Sequence, residues 1–404
     1  MAILLPSGQI AEPSEQARGW PIMRMAFRPL FWLGALFSAL SVPIWALSFT
    51  GNLPFNPLGG SYFWHVHEML FGFAVAIITG FLLTAVQTWS GVPSVKGKPL
   101  ALLVALWLSA RLLLALPSTI PNAIIVTLDL AYLPLAALCL SLPIIKARLW
   151  RNLFFVPILL AMACLNALMY AARFNHLDMN FISISHIMVM MITLVMVIMG
   201  GRVFPMFTAN GTQTPRVTNI SWLDRTAIIS VLACILLTIS PQSLNDNVTG
   251  CVFIFAGVIN FIRAVRWRIW VTFGCALVWP LHVSYWAICI GLVLLGLYYL
   301  ALLSSVSMAY HAITVGGIGM MVLAMISRVS LGHTGRMIKV GPMMTVAFAI
   351  MLVTLVIRLL APALSAYYQT FIMASALLWS IAYGCYVVRY AGIVFRPRID
   401  GRDG

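Results

Sequence analysis

The chain has 404 residues, of which 62% are apolar or aromatic and only 8% are charged. This composition excludes a water-soluble globular enzyme, because too few polar side chains remain to cover a solvent-exposed surface. The formal net charge is +15. Membrane topology explains this charge, so we predict no nucleic-acid partner.

Hydropathy predicts an all-α fold, a polytopic membrane bundle of about twelve helices. The ninth span is the least regular, because Trp279-Pro280 can begin or kink a helix there. The longest internal loop is predicted near residues 205–220, after the sixth span. The predicted spans are residues 27–49, 64–88, 99–116, 121–146, 152–172, 180–204, 221–240, 248–265, 275–300, 307–329, 342–361 and 366–389.

Basic residues gather on one side of this bundle when its loops are assigned to alternating sides. Of the 24 Lys and Arg, Arg173 and Arg358 fall on the opposite side and Arg111 lies within a span. The positive-inside rule therefore places both termini in the cytosol and predicts contact with anionic membrane lipid. We predict three regions, namely a cytosolic tail at 1–26, one transmembrane domain at 27–390 and a basic cytosolic tail at 391–404.

Five histidines fall within spans, where an ionisable side chain is unfavourable unless it is paired or bound. His65, His67, His186 and His311 lie at outer ends of their spans, whereas His282 lies deeper and could reach the same cavity. Neutral imidazole is the commonest transition-metal ligand, and two imidazoles from facing helices are a standard way to hold haem. The pattern predicts at least one metal or haem site.

Neighbouring residues leave several alternatives open. His65 and His67 point about 200° apart on a regular helix, so the first turn is unwound, or they serve different centres, or one supports the other. Glu68 either orients an imidazole, relays protons or caps the helix. Asp129 is a second candidate for a proton relay. Arg111 either pairs with Asp129 or binds an anionic group such as a haem propionate.

Several motifs follow one another from the first span to the last. They are F-R-P at 27–29, W-H-V-H-E-M-L-F-G at 64–72, G-F-L-L-T-A at 80–85, G-R-V-F-P-M-F-T at 201–208, H-A-I-T-V-G at 311–316 and L-G-H-T-G-R at 331–336. On these motifs the sequence resembles the NnrS family. The resemblance implies a multi-pass protein of the bacterial inner membrane that contains haem, of the b type, and copper. It also implies a role in the nitric oxide and nitrosative-stress response.

The same resemblance implies that the partners are nitric oxide or a nitrosylated small molecule and an electron donor that the sequence does not identify. His186, His282 and one of the outer pair, His65 or His67, are the available copper ligands. Whether the protein is an oxidoreductase acting on nitric oxide is left open. A looser similarity, at the level of the fold, is to the catalytic subunits of haem–copper oxidases. The alternative function is a transporter or metal permease, in which His and Met side chains form a transient ion path.

Overall fold

The computed structural model describes residues 20–116, 119–240 and 245–401. Within these ranges the chain is helical, has no strand, and contains twelve helices that are long and apolar enough to cross a membrane. The predicted all-α membrane bundle is therefore confirmed. The outermost parts of the two predicted tails, residues 1–19 and 402–404, lie outside the described residues.

The spans agree with the predicted ones to within a few residues at most ends, because a run of about 20 apolar residues is both the hydropathy signal and the length needed to cross the hydrocarbon core. In chain order they are α1 (Phe27–Phe49), α2 (Ser61–Ser90), α3 (Gly97–Ala115), α4 (Asn122–Lys146), α5 (Phe155–Arg173), α6 (Phe181–Thr212), α7 (Ser221–Ile239), α8 (Asp246–Val265), α9 (Trp279–Tyr299), α10 (Val306–His333), α11 (Pro342–Leu360) and α12 (Tyr368–Val394).

Helix α6 is longer than its predicted span, which ended at residue 204, and the predicted loop at 205–220 is correspondingly too long. The helix continues through Pro205 to Thr212. A proline inside a helix leaves the carbonyl four residues earlier without its donor, and a membrane helix tolerates this where a neighbouring group replaces the donor. Here the Asn219 side-chain amide donates to the Gly201 carbonyl at 3.3 Å.

Two further boundaries differ from the sequence prediction in detail. Helix α9 begins at Trp279, so Pro280 starts the helix and does not kink it. Helix α12 continues to Val394, beyond the predicted domain end at residue 390. The Arg28 guanidinium donates to the Val394 and Arg396 carbonyls, both at 2.8 Å, so the start of the C-terminal tail lies against the bundle.

Spans α2, α6 and α10 form the centre of the bundle. Their apolar windows are 78%, 72% and 78% buried inside the protein, against at most 61% for the other nine spans of the described chain. The three inner spans are the second, sixth and tenth of the twelve spans, and the outer spans pack around them. The last span, α12, packs along α1, where the Trp32 indole donates to the Val387 carbonyl at 3.0 Å.

Two of the inner spans contain a π-helical segment. The segment in α2 covers Glu68–Ala74 and the segment in α10 covers Ala312–Gly319. Each begins directly after a histidine of the sequence motifs, His67 in α2 and His311 in α10. A π turn adds a residue to the helical repeat and changes which side chains face the centre, and such turns are frequent at functional sites.

Candidate functional site: a histidine cavity

A cavity of about 300 Å³ lies at the end of the bundle where α2, α6 and α10 begin. Its volume is within the range of small-molecule sites. Each inner span contributes one histidine to its lining, His65 from α2, His186 from α6 and His311 from α10. The sequence placed these three at the outer side of the membrane, and the structure brings them together at one end. Aromatic and aliphatic side chains from α1 and α12 complete the walls, among them Trp45 and Trp379.

Aromatic rings hold two of the histidines in place. The His65 imidazole stacks on the Trp45 indole with ring centroids 3.8 Å apart and planes 13° apart. The His186 imidazole stacks on the Tyr310 ring at 3.7 Å and 9°. Neither ring nitrogen of His186 has a hydrogen-bond partner among the described residues, and the same is true of His65 Nδ1. Both imidazoles therefore have nitrogen atoms available to a ligand.

Hydrogen bonds orient the third histidine. His311 Nδ1 lies 2.7 Å from the Ser307 carbonyl one helical turn earlier, so Nδ1 donates. His311 Nε2 then has a lone pair, which accepts from Arg358 Nη2 at 3.1 Å. A backbone carbonyl that fixes Nδ1–H and leaves Nε2 as the basic nitrogen is the arrangement found behind many metal-binding histidines.

Several polar atoms on the cavity wall have no hydrogen-bond partner in the described parts of the chain. They are His65 Nδ1, the indole nitrogens of Trp45 and Trp379, and Arg358 Nη1. Buried polar atoms in native proteins nearly always have a partner, so these four atoms are available to a polar ligand or to water. The surrounding walls are mostly apolar.

His67 does not line this cavity, although it was grouped with the other outer histidines in the sequence. It lies in a separate polar cluster, with Nδ1 2.8 Å from Glu68 Oε1 and Nε2 2.8 Å from Asn166 Oδ1. Nε2 is also 3.3 Å from Asp129 Oδ2. Both ring nitrogens thus contact oxygen atoms and neither is free to bind a metal. Of the alternatives left open above, the structure favours separate roles for His65 and His67.

Arg111 belongs to the same cluster. It forms an ion pair with Asp129, as one of the two sequence alternatives predicted, and its Nε lies 3.3 Å from Glu68 Oε2. Asp129 also accepts from the Asn166 amide at 2.8 Å and from the Tyr170 hydroxyl at 3.1 Å. Two carboxylates already surround the Arg111 guanidinium, which does not line the histidine cavity. The structure therefore does not place it to bind a haem propionate there.

His282 lies away from the cavity, contrary to the expectation that it could reach it. Its Nε2 is 2.8 Å from the Thr208 hydroxyl, and its ring packs near Phe204 toward the other end of α6. His186 begins that same helix, so His186 and His282 are not brought together. His333 lies beyond the predicted end of the tenth span at residue 329, but it is the last residue of α10, where its ring packs near Phe27.

Sequence reasoning did not identify Arg358 as a cavity residue. This side chain reaches the cavity from α11 and is only 6% exposed. The signal was present, because Arg358 is one of the two basic residues that the predicted topology places on the outer side. Asn166 and Tyr170 were also missed, since an amide and a phenol in an apolar span give little signal.

These observations define a multi-pass α-helical membrane protein with a histidine-lined cavity between its three innermost helices. A sequence model of the NnrS family, described as "NnrS protein", matches residues 21–398, nearly the whole chain. The chain belongs to the NnrS family. Membership supports a role in the nitric oxide response. No similar protein was found among curated sequences.

Proposed function

We propose that the histidine cavity binds haem and that the protein uses it to bind nitric oxide or a nitrosylated small molecule, which relieves nitrosative stress. The observation that carries this proposal is the convergence of His65, His186 and His311, from three different inner helices, on one mostly apolar cavity. Family membership supplies the link to nitric oxide. We place the protein in the bacterial inner membrane, with the cavity at the periplasmic side.

The cavity fits a planar macrocycle better than a bare ion. In the chain as described, no three His, Cys, Asp or Glu side chains are close enough to hold one metal ion. The three imidazoles therefore do not form a closed ion site, whereas two imidazoles on different helices could hold a haem, and one of them would have to be displaceable for nitric oxide to bind. The indole rings of Trp45 and Trp379 offer apolar surface to the ring and donors to its polar substituents.

Bound haem would supply an iron centre that takes diatomic ligands and changes oxidation state. The residues of the chain would determine how a diatomic ligand reaches the iron. The Ser307 carbonyl holds His311 in one tautomer and presents Nε2 to the cavity. The stacked rings of Trp45 and Tyr310 fix the planes of His65 and His186, so these imidazoles do not have to be ordered when they bind.

We propose the remaining imidazole of the cavity as the protein's ligand for copper, the second cofactor that the family resemblance implies. Copper accepts imidazole readily. His282 does not contribute to this site, because its ring lies with Thr208 and Phe204. The assignment predicts that two of the three cavity histidines are needed for haem and the third for copper.

An optical spectrum of the purified full chain tests the haem proposal. We expect a Soret band that moves on reduction and again on addition of nitric oxide. The variants His65→Ala, His186→Ala and His311→Ala are compared with His176→Ala, which changes an exposed histidine outside the cavity. Two cavity variants should lose most of the haem, and the third should keep haem and lose copper by metal analysis. His176→Ala should match the parent chain in both.

Added imidazole separates lost ligation from misfolding. In a variant that lacks an axial ligand, exogenous imidazole should enter the space left by the side chain and restore the Soret band. A colourless parent protein would contradict the proposal and favour the permease alternative. Full haem content in all three cavity variants would also contradict it, because no other described histidine lines the cavity.

A further inference from the structure

We propose that Arg358 is an anion-binding subsite of the histidine cavity and takes a carboxylate or a small oxyanion. This inference rests on the proposed function for the metal ligand beside it, but the subsite itself follows from the charges of the chain. It replaces Arg111, the residue that the sequence suggested for an anionic group.

Arg358 is a buried cation without a carboxylate partner. It is 6% exposed, and no Asp or Glu lies among the residues that line the cavity. Its Nη1 has no hydrogen-bond partner in the described chain, and its Nη2 contacts the neutral groups His311 Nε2 and Ser307 Oγ, at 3.1 and 3.4 Å. The other groups that interact with the guanidinium, the hydroxyls of Tyr368 and Tyr62, are also uncharged. A buried charge is strongly unfavourable unless an opposite charge accompanies it. An anion in the cavity would provide that charge.

The contrast with Arg111 shows what is missing. Arg111 is equally buried, but Glu68 and Asp129 both contact its guanidinium. Arg358 is also buried, but its guanidinium faces the cavity and not a carboxylate. Of these two buried arginines, one has carboxylate partners within the protein and the other has the cavity in their place.

Ligation of His311 and anion binding at Arg358 are coupled by one atom. Arg358 Nη2 donates to His311 Nε2, the same nitrogen that would bind a metal. If a metal bound the lone pair of His311 Nε2, Arg358 Nη2 would lose this hydrogen bond. Nη1 and Nη2 would then together form a bidentate donor that fits a carboxylate or oxyanion. A ligand that brings both a metal and an anionic group would satisfy both residues at once.

Two sources can supply this chemistry, a propionate of the haem or a free oxyanion such as nitrite. Comparing the binding of iron protoporphyrin IX and of its dimethyl ester to the haem-depleted full chain tests for the propionate, because the ester has no anionic carboxylate. Binding of sodium nitrite, measured by calorimetry, distinguishes the second. The variants are Arg358→Gln and Arg358→Lys. Arg173→Gln is the matched control, because Arg173 is also on the outer side but donates to the Gly59 carbonyl outside the cavity.

If a propionate is the anion, the parent chain should bind the free acid at least about tenfold more tightly than the ester. Arg358→Gln should bring that ratio to about one, and Arg358→Lys should keep part of it. If a free oxyanion is bound, nitrite affinity should fall at least about tenfold in Arg358→Gln and stay unchanged in Arg173→Gln. If Arg358→Gln does not fold, the ratio of the affinities for the free acid and the ester, measured in the parent chain and in Arg358→Lys, still tests the proposal.

Failure of this proposal is distinguishable from failure of the haem proposal. Nitrite binding that depends on Arg358 in a protein that takes no haem would refute the haem site and support the subsite. Haem binding with no discrimination against the ester, together with nitrite binding equal in the parent and Arg358→Gln, would overturn the subsite and leave the haem site intact.

Discussion

Two side chains of the same type, Arg111 and Arg358, illustrate how residue context decides chemistry in this protein. Both are buried within membrane spans, yet one is held between carboxylates and the other faces a cavity. The amino-acid composition of the spans does not distinguish the two arginines. Only the positions of Glu68 and Asp129, on other helices, separate an arginine held in an ion pair from an arginine that faces a cavity.

The ion pair of Arg111 and Asp129 should be important for stability. Replacing Asp129 by Asn removes one carboxylate from the guanidinium and from the donors Asn166 and Tyr170. We expect a loss of about 3 to 5 kcal/mol in the free energy of unfolding, the usual effect of breaking a buried pair. Thermal unfolding in detergent measures it.

The matched comparison is the double variant Asp129→Asn with Arg111→Gln. Because each single change removes the opposite charge of the Arg111–Asp129 pair from the residue that remains, the double variant should be less unstable than the sum of the two single effects. Additive effects would show that the pair contributes no coupling. Haem content should follow the amount of folded protein in all three variants, since the cluster does not line the cavity.

At the residue scale the sequence identified three of the side chains that line the cavity but not the contacts that they make. The histidines were recognisable because an imidazole in an apolar span is energetically unfavourable unless it is paired or bound. Their grouping by depth was correct for His65, His186 and His311. It could not exclude His67, because depth along a span says nothing about the direction of a side chain relative to helices far away in the sequence.

At the scale of the elements, the π-helical segments of α2 and α10 position the cavity residues. Ser307 and His311 line the cavity from the first turns of α10, and Thr314, Val315 and Ile318 line it from the π-helical segment that follows. Hydropathy does not detect such segments, because an extra residue in one turn leaves the mean apolar content unchanged. This is why the sequence predicted the spans but not which faces meet.

Glycine lets α10 pack closely in its π-helical segment. A Cβ at Gly316 would lie 2.7 Å from the Ala287 Cβ of α9 and 2.7 Å from the Leu355 side chain of α11. Gly316→Ala should therefore push α10 away from its neighbours, with a loss of about 1 to 3 kcal/mol in stability. We expect a lower melting temperature and a lower ratio of Soret to protein absorbance.

Gly384→Ala in α12 is the control for this change, because nothing lies within 4 Å of a Cβ at that position. Alanine is the better helix former, so this variant should be as stable as the parent chain or slightly more stable. A Gly316→Ala protein with unchanged melting temperature and haem content would mean that α10 adjusts without cost.

For the whole molecule, the positive-inside rule predicts both termini in the cytosol and the cavity on the opposite side. Single cysteines at Asn52 and Met337, both exposed in loops at opposite ends, test this orientation in a chain whose own cysteines are replaced. We expect a membrane-impermeant thiol reagent added to intact spheroplasts to label Asn52→Cys only. Lysed membranes should show labelling of both. Labelling of Met337→Cys in intact spheroplasts would reverse the topology.

At this scale the sequence was most informative. The order and approximate length of the spans follow from hydropathy. The side of each loop, which the charges predict, stays a prediction. The choice of α2, α6 and α10 as the central helices did not follow, since the hydropathy of single spans overlaps between the central and the outer helices. α11 has a hydropathy of 2.4, for example, and α10 has 1.8.

The spacing of the central helices affects how the protein can be made. The three histidines come from the first, the middle and the last third of the chain, and Arg358 follows in the next span. During synthesis, the early spans must enter the membrane with an unfinished centre, which stays incomplete until α10 and α11 have left the ribosome. A cofactor loaded there must therefore arrive after nearly the entire protein has been inserted, and a chain that stops short of α10 lacks the third histidine of the cavity.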